Sequence, residues 1–134
     1  METAYVDLAK TIERLHRRFL DVVRAELTRL GYRDLTAVQA MLLTNIGDEE
    51  IVIRDLIERG YYQGSNVSYN MKKLVDGGYI EQQRAEHDKR SVRIKLTDKS
   101  RDICEKIKDL EARNANALVE EGLTTEEVEQ VQRT

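Results

Sequence analysis

Between Ile51 and Thr97 the hydrophobic period changes from that of a helix to that of a strand, and this change leaves few folds open. From Ser65 to Asp76 the spacing is helical. Stepping about 100° per residue, Met71, Leu74 and Val75 fall within about 80° of Val67. Ser65, Asn66, Tyr69, Lys72 and Lys73 fall on the far side, with Tyr69 near its centre, and Gly77-Gly78 closes the run. Then Tyr79-Ile80 starts one strand, and Val92, Ile94 and Leu96 alternate with Ser91, Arg93 and Lys95 in another. A period of two puts the aliphatics on one face of the strand and the cations on the other. Upstream, Glu50-Ile51-Val52 reads as a short strand that joins the hairpin. Arg54 to Arg59 is a short helix buried through Leu56 and Ile57, and Gly60 to Gly64 is a turn.

Strand, helix, turn, helix and hairpin in that order make a winged helix-turn-helix. The expected fold class is mainly α, an α+β winged helix over 35–97 within one domain spanning 1–134. The second helix (65–76) is the candidate recognition helix and the hairpin (79–96) the candidate wing. The outer face of 65–76 carries two lysines, hydroxyls and an amide, and no carboxylate before Asp76 at its end. Such groups donate to phosphates and base edges together, although a solvated surface helix has the same look. The segment Ala85-Glu86-His87-Asp88-Lys89-Arg90 reads as a loop too charged to bury. A basic hairpin tip can enter a minor groove, where narrow A·T-rich segments concentrate negative potential. Asp88 repels phosphate if left free, and is explained if it pairs with a wing arginine and holds that side chain extended.

Asp88-x-Arg90-x-x-x-Ile94-x-Leu96-Thr97 resembles the wing signature of the MarR family, and the spacing of Ser65, Val67, Ser68, Leu74, Gly78 and Ile80 is similar to that family's recognition helix and following strand. The run from Arg59 to Val75 looks closest to the LdtR-like branch. Two positions depart from the family pattern. Tyr69 stands where many members have arginine, and Ser100 stands where glycine is common after Leu-Thr, a change expected to matter only to the local turn. The resemblance implies a homodimeric regulator of transcription that binds a near-palindromic site in double-stranded DNA. In that mechanism Ser65, Asn66, Ser68 and Tyr69 approach bases or phosphates, and Lys72 and Lys73 neutralise phosphates. Arg90 probes the flanking minor groove from a tip that also carries Lys89, and Arg84, Arg93 and Lys95 touch the backbone.

The overall charge of −3 is no obstacle, because it is unevenly spread. Residues 51–96 hold 9 basic and 6 acidic side chains, whereas 1–50 hold 7 and 9, and 97–134 hold 6 and 10. With a Debye length of about 8 Å at physiological salt, local charge outweighs the total.

The two ends are helical with apolar seams. Tyr5, Leu8, Ile12, Leu15, Phe19 and Val22 advance by threes and fours within a helix expected over Tyr5–Leu30, and the stripe then slips to Val23, Leu27 and Leu30. Gly31 suits the left-handed residue past its end. Thr36-x-x-Gln39 is a capping box, followed by Ala37, Val38, Met41, Leu42 and Ile46 as the expected buried stripe. After the wing, Thr97 caps a helix whose seam runs Ile103, Ile107, Leu110, Asn114, Ala117 and ends at Gly122. Leu123-Thr124-x-x-Glu127-Val128 combines a second capping box with a hydrophobic staple, and with only a few residues left the last helix is expected to be cut short. Helices over 1–30 and 98–134 are the expected dimerisation part. An intramolecular bundle is the alternative.

Members of the resembled family sense small aromatic acids in a crevice between the dimer helices and the reading head, which points to His16, Phe19, Met41 and Thr44 here. His16 is equally explained as a surface or packed histidine. Glu13-x-x-His16 is half of a carboxylate di-iron motif without its second half, so no metal and no cofactor are expected. Cys104, the only cysteine, adjoins the Ile103/Ile107 seam as a small hydrophobe. With two separated histidines and no glycine-rich phosphate loop, an enzyme is not expected. The sequence has neither a long apolar run nor a signal-like start, so a cytoplasmic location without membrane contact is expected. The rival reading is a winged-helix protein–protein adaptor, which calls for apolar patches on 65–76.

Overall fold

The computed structural model describes residues 1–60, 64–85 and 88–134, with side chains at all of these except 60, 64, 65, 85 and 88–90. The chain divides into two compact units, Met1–Cys104 and Glu105–Thr134.

The first unit starts with α1 (Glu2–Leu30), one turn longer at its start than the apolar stripe indicates. It ends on Gly31 at φ 88, where the Gly31 and Tyr32 N–H groups close back on the Thr28 and Leu27 carbonyls. Only a residue without Cβ takes that conformation cheaply. The N-terminus of α2 (Ala37–Ile46) has the reciprocal capping box, with Thr36 Oγ1 accepting from Gln39 N and Gln39 Oε1 accepting from Thr36 N.

Next come β1 (Ile51–Val52), α3 (Ile53–Gly60), α4 (Gly64–Asp76), β2 (Ile80–Ala85) and β3 (Asp88–Leu96). The sheet order is β1-β3-β2, antiparallel throughout, with Ile51 opposite Ile94 and Ile80 opposite Leu96. The short upstream strand therefore joins the hairpin as expected. The hairpin connection is shorter than the expected 85–90 loop, since β2 runs to Ala85 and β3 resumes at Asp88. Strand pairing is made by the backbone, so charged side chains do not by themselves end it.

The core gathers Val23 and Leu27 of α1, Leu42, Leu43 and Ile46 of α2, Leu56, Val67, Met71, Leu74, Tyr79, Ile80, Ile94, Leu96 and Ile103, all at or below 3% exposure. Burying an aliphatic side chain of this size contributes about 1.5–3 kcal/mol. Helix α2 corrects the sequence expectation. Val38 is 42% exposed and Met41 half-buried, while Gln39, Ala40 and Leu43 are buried. The helix packs against α1, α3 and β3, so it is enclosed over most of its circumference and has no single stripe.

The first turn of α5 (Asp98–Glu120) closes this unit, with Thr97 Oγ1 accepting from Ser100 N at its start. In the second unit, α5 ends at Gly122 with φ 90, and α6 (Thr125–Arg133) opens with the Thr124/Glu127 capping box. Every residue from Glu111 onward is exposed. Ala115, Leu118, Val119, Leu123 and Val128 line an apolar groove between α5 and α6.

Candidate nucleic-acid interface

Helix α4 buries Val67, Met71 and Leu74 at 3% exposure or less and turns Asn66, Ser68, Tyr69, Lys72 and Lys73 outward. Tyr69 is 64% exposed, and Lys73 Nζ sits 5.8 Å from its ring centroid, a cation–π approach within one face. The outward face carries no carboxylate before Asp76, which ends the helix and lines the groove beside Lys72.

The hairpin brings a further cation to this helix. In β2, Arg84 lies opposite Val92 and Gln82 opposite Ile94, and directly opposed residues share a sheet face. That face meets α4 in a groove of about 400 Å³ that includes Ser68, Met71, Lys72, Gln82 and Arg84. Ser68, Lys72 and Arg84 therefore converge. Gln82 was missed from sequence, although its spacing of two from Arg84 is the signal that places it there. Arg93 and Lys95 take the opposite face with their partners Gln83 and Glu81, and Lys95 Nζ is 3.2 Å from Glu81 Oε2. The structure thus separates Arg84 from Arg93 and Lys95, which the sequence reading had grouped. The side chains of Ser65, Asp88, Lys89 and Arg90 lie outside the described residues, and so does the proposed pairing of Asp88.

Polar groups fasten the end of α4 to its surroundings. Gly78 has φ 78, and the Tyr79 N–H bonds to Leu74 O at 2.9 Å, so Tyr79 belongs to the helix stop. Its side chain, 1% exposed, donates to Asp34 Oδ1 at 2.6 Å. Burial and the Asp34 carboxylate push the Tyr79 phenol up from its ordinary value. The Tyr79 hydroxyl in turn holds the Asp34 carboxyl below the usual carboxylate range, aided by Lys99. Lys99 Nζ lies 4.1 Å from the Tyr79 ring centroid. Ser100, fully buried, donates its hydroxyl to the Tyr79 carbonyl, and Thr97 donates to Gly78 O at 2.8 Å. The Ser100 departure therefore does more than shape a local turn, since it ties α5 to the stop of α4.

Of the ligand candidates, His16 and Phe19 lie on the exposed stripe of α1, and Met41 and Thr44 are half-buried on α2, with the Thr44 hydroxyl donating to Met41 O. The groove of about 510 Å³ near the α1–α2 junction is lined by other residues, among them Arg24, Leu27, Tyr32, Arg33 and Leu35. Among the described residues, no three His, Cys, Asp or Glu side chains gather where they could hold a metal ion, and no helix is long and apolar enough to cross a membrane.

Comparison with known proteins agrees with this geometry. Residues 35–100 match the winged helix DNA-binding domain family. The fold matches a cysteine-to-serine variant of MarR from E. coli complexed with operator DNA, at a TM-score of 0.79 and 23% identity over 97% of this chain and 91% of that one. The chain has the winged-helix fold of MarR-type proteins. Its fold also matches Streptococcus pneumoniae FabT in complex with DNA, at a TM-score of 0.78 and 20% identity over 96% and 90% of the two chains. In sequence, this chain is 48% identical over 100 residues to the exopolysaccharide II synthesis transcriptional activator ExpG of Rhizobium meliloti, over 75% of its own length. It spans about half (52%) of ExpG. The likeness to the LdtR-like branch rests on the Arg59–Val75 run alone.

Proposed function

We propose that this MarR-type chain regulates transcription by binding a near-palindromic site in double-stranded DNA as a homodimer. The observation that carries the reading is the outward face of α4, cationic and hydroxyl-bearing with no carboxylate before Asp76 in its last position, joined at its edge by Arg84. Its one large exposed apolar-bodied residue is Tyr69, which fits poorly with the apolar patch an adaptor surface needs. In this reading α4 enters a major groove. Asn66, Ser68 and Tyr69, together with Ser65, meet base edges or phosphates, and Lys72, Lys73 and Arg84 neutralise the backbone. Arg90, with Lys89 and Asp88 at the wing tip, takes the flanking minor groove. Arg93 acts at longer range, since its face of the hairpin turns from α4.

Two features support pairing. Tyr5, Leu8, Ile12, Leu15, Phe19 and Val22 form a stripe along α1 with exposures from 42% to 69%, and the second unit has its own open apolar groove. A two-fold pair would set two recognition helices about 34–36 Å apart, one turn of B-DNA. A small aromatic effector acting near His16, Phe19, Met41 and Thr44 completes the proposal. Thermal shift against a panel of aromatic acids, repeated with His16→Ala, tests that part, and absence of any ligand-dependent shift would remove it. The DNA reading is tested by selecting bound fragments from genomic DNA. Recovery of one near-palindromic motif is expected, and recovery of unrelated fragments would overturn it.

A further inference from the structure

The connector between α1 and α2 and the first turn of α2 each touch the α4 region at one place. Gln39, 6% exposed, is already fixed by the capping box, and it donates from Nε2 to Asn70 Oδ1 at 3.2 Å on the flank of α4. Asp34 accepts from the Tyr79 hydroxyl at 2.6 Å, just past the end of the same helix. The backbone of Tyr79 is hydrogen-bonded into the helix stop, so a pull on its side chain is a pull on α4. Lys99 donates to Gly77 O at 3.3 Å and lies over the Tyr79 ring, which holds the second point from the α5 side. Neither Asp34 nor Gln39 is on the outward face of α4.

Thr97, Ser100 and Lys99 hold the end of α4 from the α5 side, and along its body the helix is seated by Val67, Met71 and Leu74, whose apolar burial is non-directional. A helix held by apolar contacts alone can roll or slide slightly with little change in buried area. Hydrogen bonds weaken steeply with distance and angle, so two of them, one mid-helix and one at the end, fix roll and pivot together. Base-edge contacts need that accuracy. Phosphate contacts from flexible lysines do not.

We infer that Asp34 and Gln39 are positioning residues for DNA reading, holding α4 at two points so that its outward face is presented in one orientation. The inference rests on the DNA-reading function proposed above. The role predicts a particular split. Asp34→Ala and Gln39→Ala should each lower affinity for the selected site about tenfold, while affinity for a random-sequence duplex stays within about twofold and its salt slope is unchanged. Asp34→Asn, which keeps an acceptor for Tyr79, should restore most of the discrimination. Equal losses on both duplexes, or no loss in either alanine variant while circular dichroism shows it folded, would overturn the inference. A second readout needs no DNA. Amide exchange over residues 66–76 should accelerate in Asp34→Ala with α2 protection retained, and unchanged exchange in α4 would overturn the positioning role. A wild-type chain that does not discriminate between duplexes would instead refute the proposed function, and the exchange measurement would still decide for or against the two-point hold.

Discussion

Tyr69, 64% exposed, stands at the centre of the outward face of α4, and it lacks the guanidinium fork with which an arginine grips guanine. Tyr69→Arg is expected to move the preferred base toward guanine at one position of each half-site, read by repeating the fragment selection with the variant. An unchanged motif would place Tyr69 outside base reading. For the wing, Arg90→Ala should weaken specific binding by about 1–3 kcal/mol per half-site in titrations with the folded variant. The Asp34–Tyr79 pair gives a pH signature. The Asp34 carboxyl is depressed when folded, so its contribution is present above the unfolded carboxylate range and is lost as pH falls through the lower folded value. The stability gap between wild type and Asp34→Asn, measured by urea unfolding, should therefore narrow on going from pH 6 to pH 3. A gap constant with pH would contradict the pairing. These fastenings were not legible in the sequence. Asp34 and Tyr79 are 45 positions apart, Gln39 and Asn70 31, and hydrophobic periodicity says nothing about which distant polar residues meet. Ser100 was visible as an oddity, but its partner, the Tyr79 carbonyl, appears only once α5 is docked.

Helix α4 was readable almost to the residue, because an amphipathic period, a glycine stop and one buried face all agree there. Leu74, 1% exposed, should cost about 2–5 kcal/mol when cut to alanine, measured by urea unfolding, whereas Lys72→Ala should leave stability within about 0.5 kcal/mol. Helix α2 was misread because enclosure by α1, α3 and β3 removes the contrast between faces on which a period depends. The hairpin lies between these cases. Alternation assigned both faces of β3 correctly, yet grouping Arg84 with Arg93 needed the cross-strand register, which puts Arg84 opposite Val92 and Arg93 opposite Gln83. The side of a sheet a residue takes follows from its own strand, but the side its neighbours take follows from pairing.

For the whole molecule, the proposed function requires a basic reading head carried twice on a chain whose total charge is −3. The exposed stripe of α1 is the testable part of that duplication. Ile12→Asp alters a side chain 58% exposed in the single chain, so the fold should tolerate it. A two-fold interface along that stripe should not, and light scattering would then find monomers with weakened binding to the selected site. A dimer that persists unchanged would move the interface elsewhere. Whether paired α4 faces and wings neutralise and read one duplex is decided by titrating the selected site with the chain over a range of salt concentrations. With about eight phosphates neutralised per pair, the plot of log affinity against log salt should fall with a slope of roughly −7, at two chains per site. A slope near zero, or saturation at one chain per site, would contradict it.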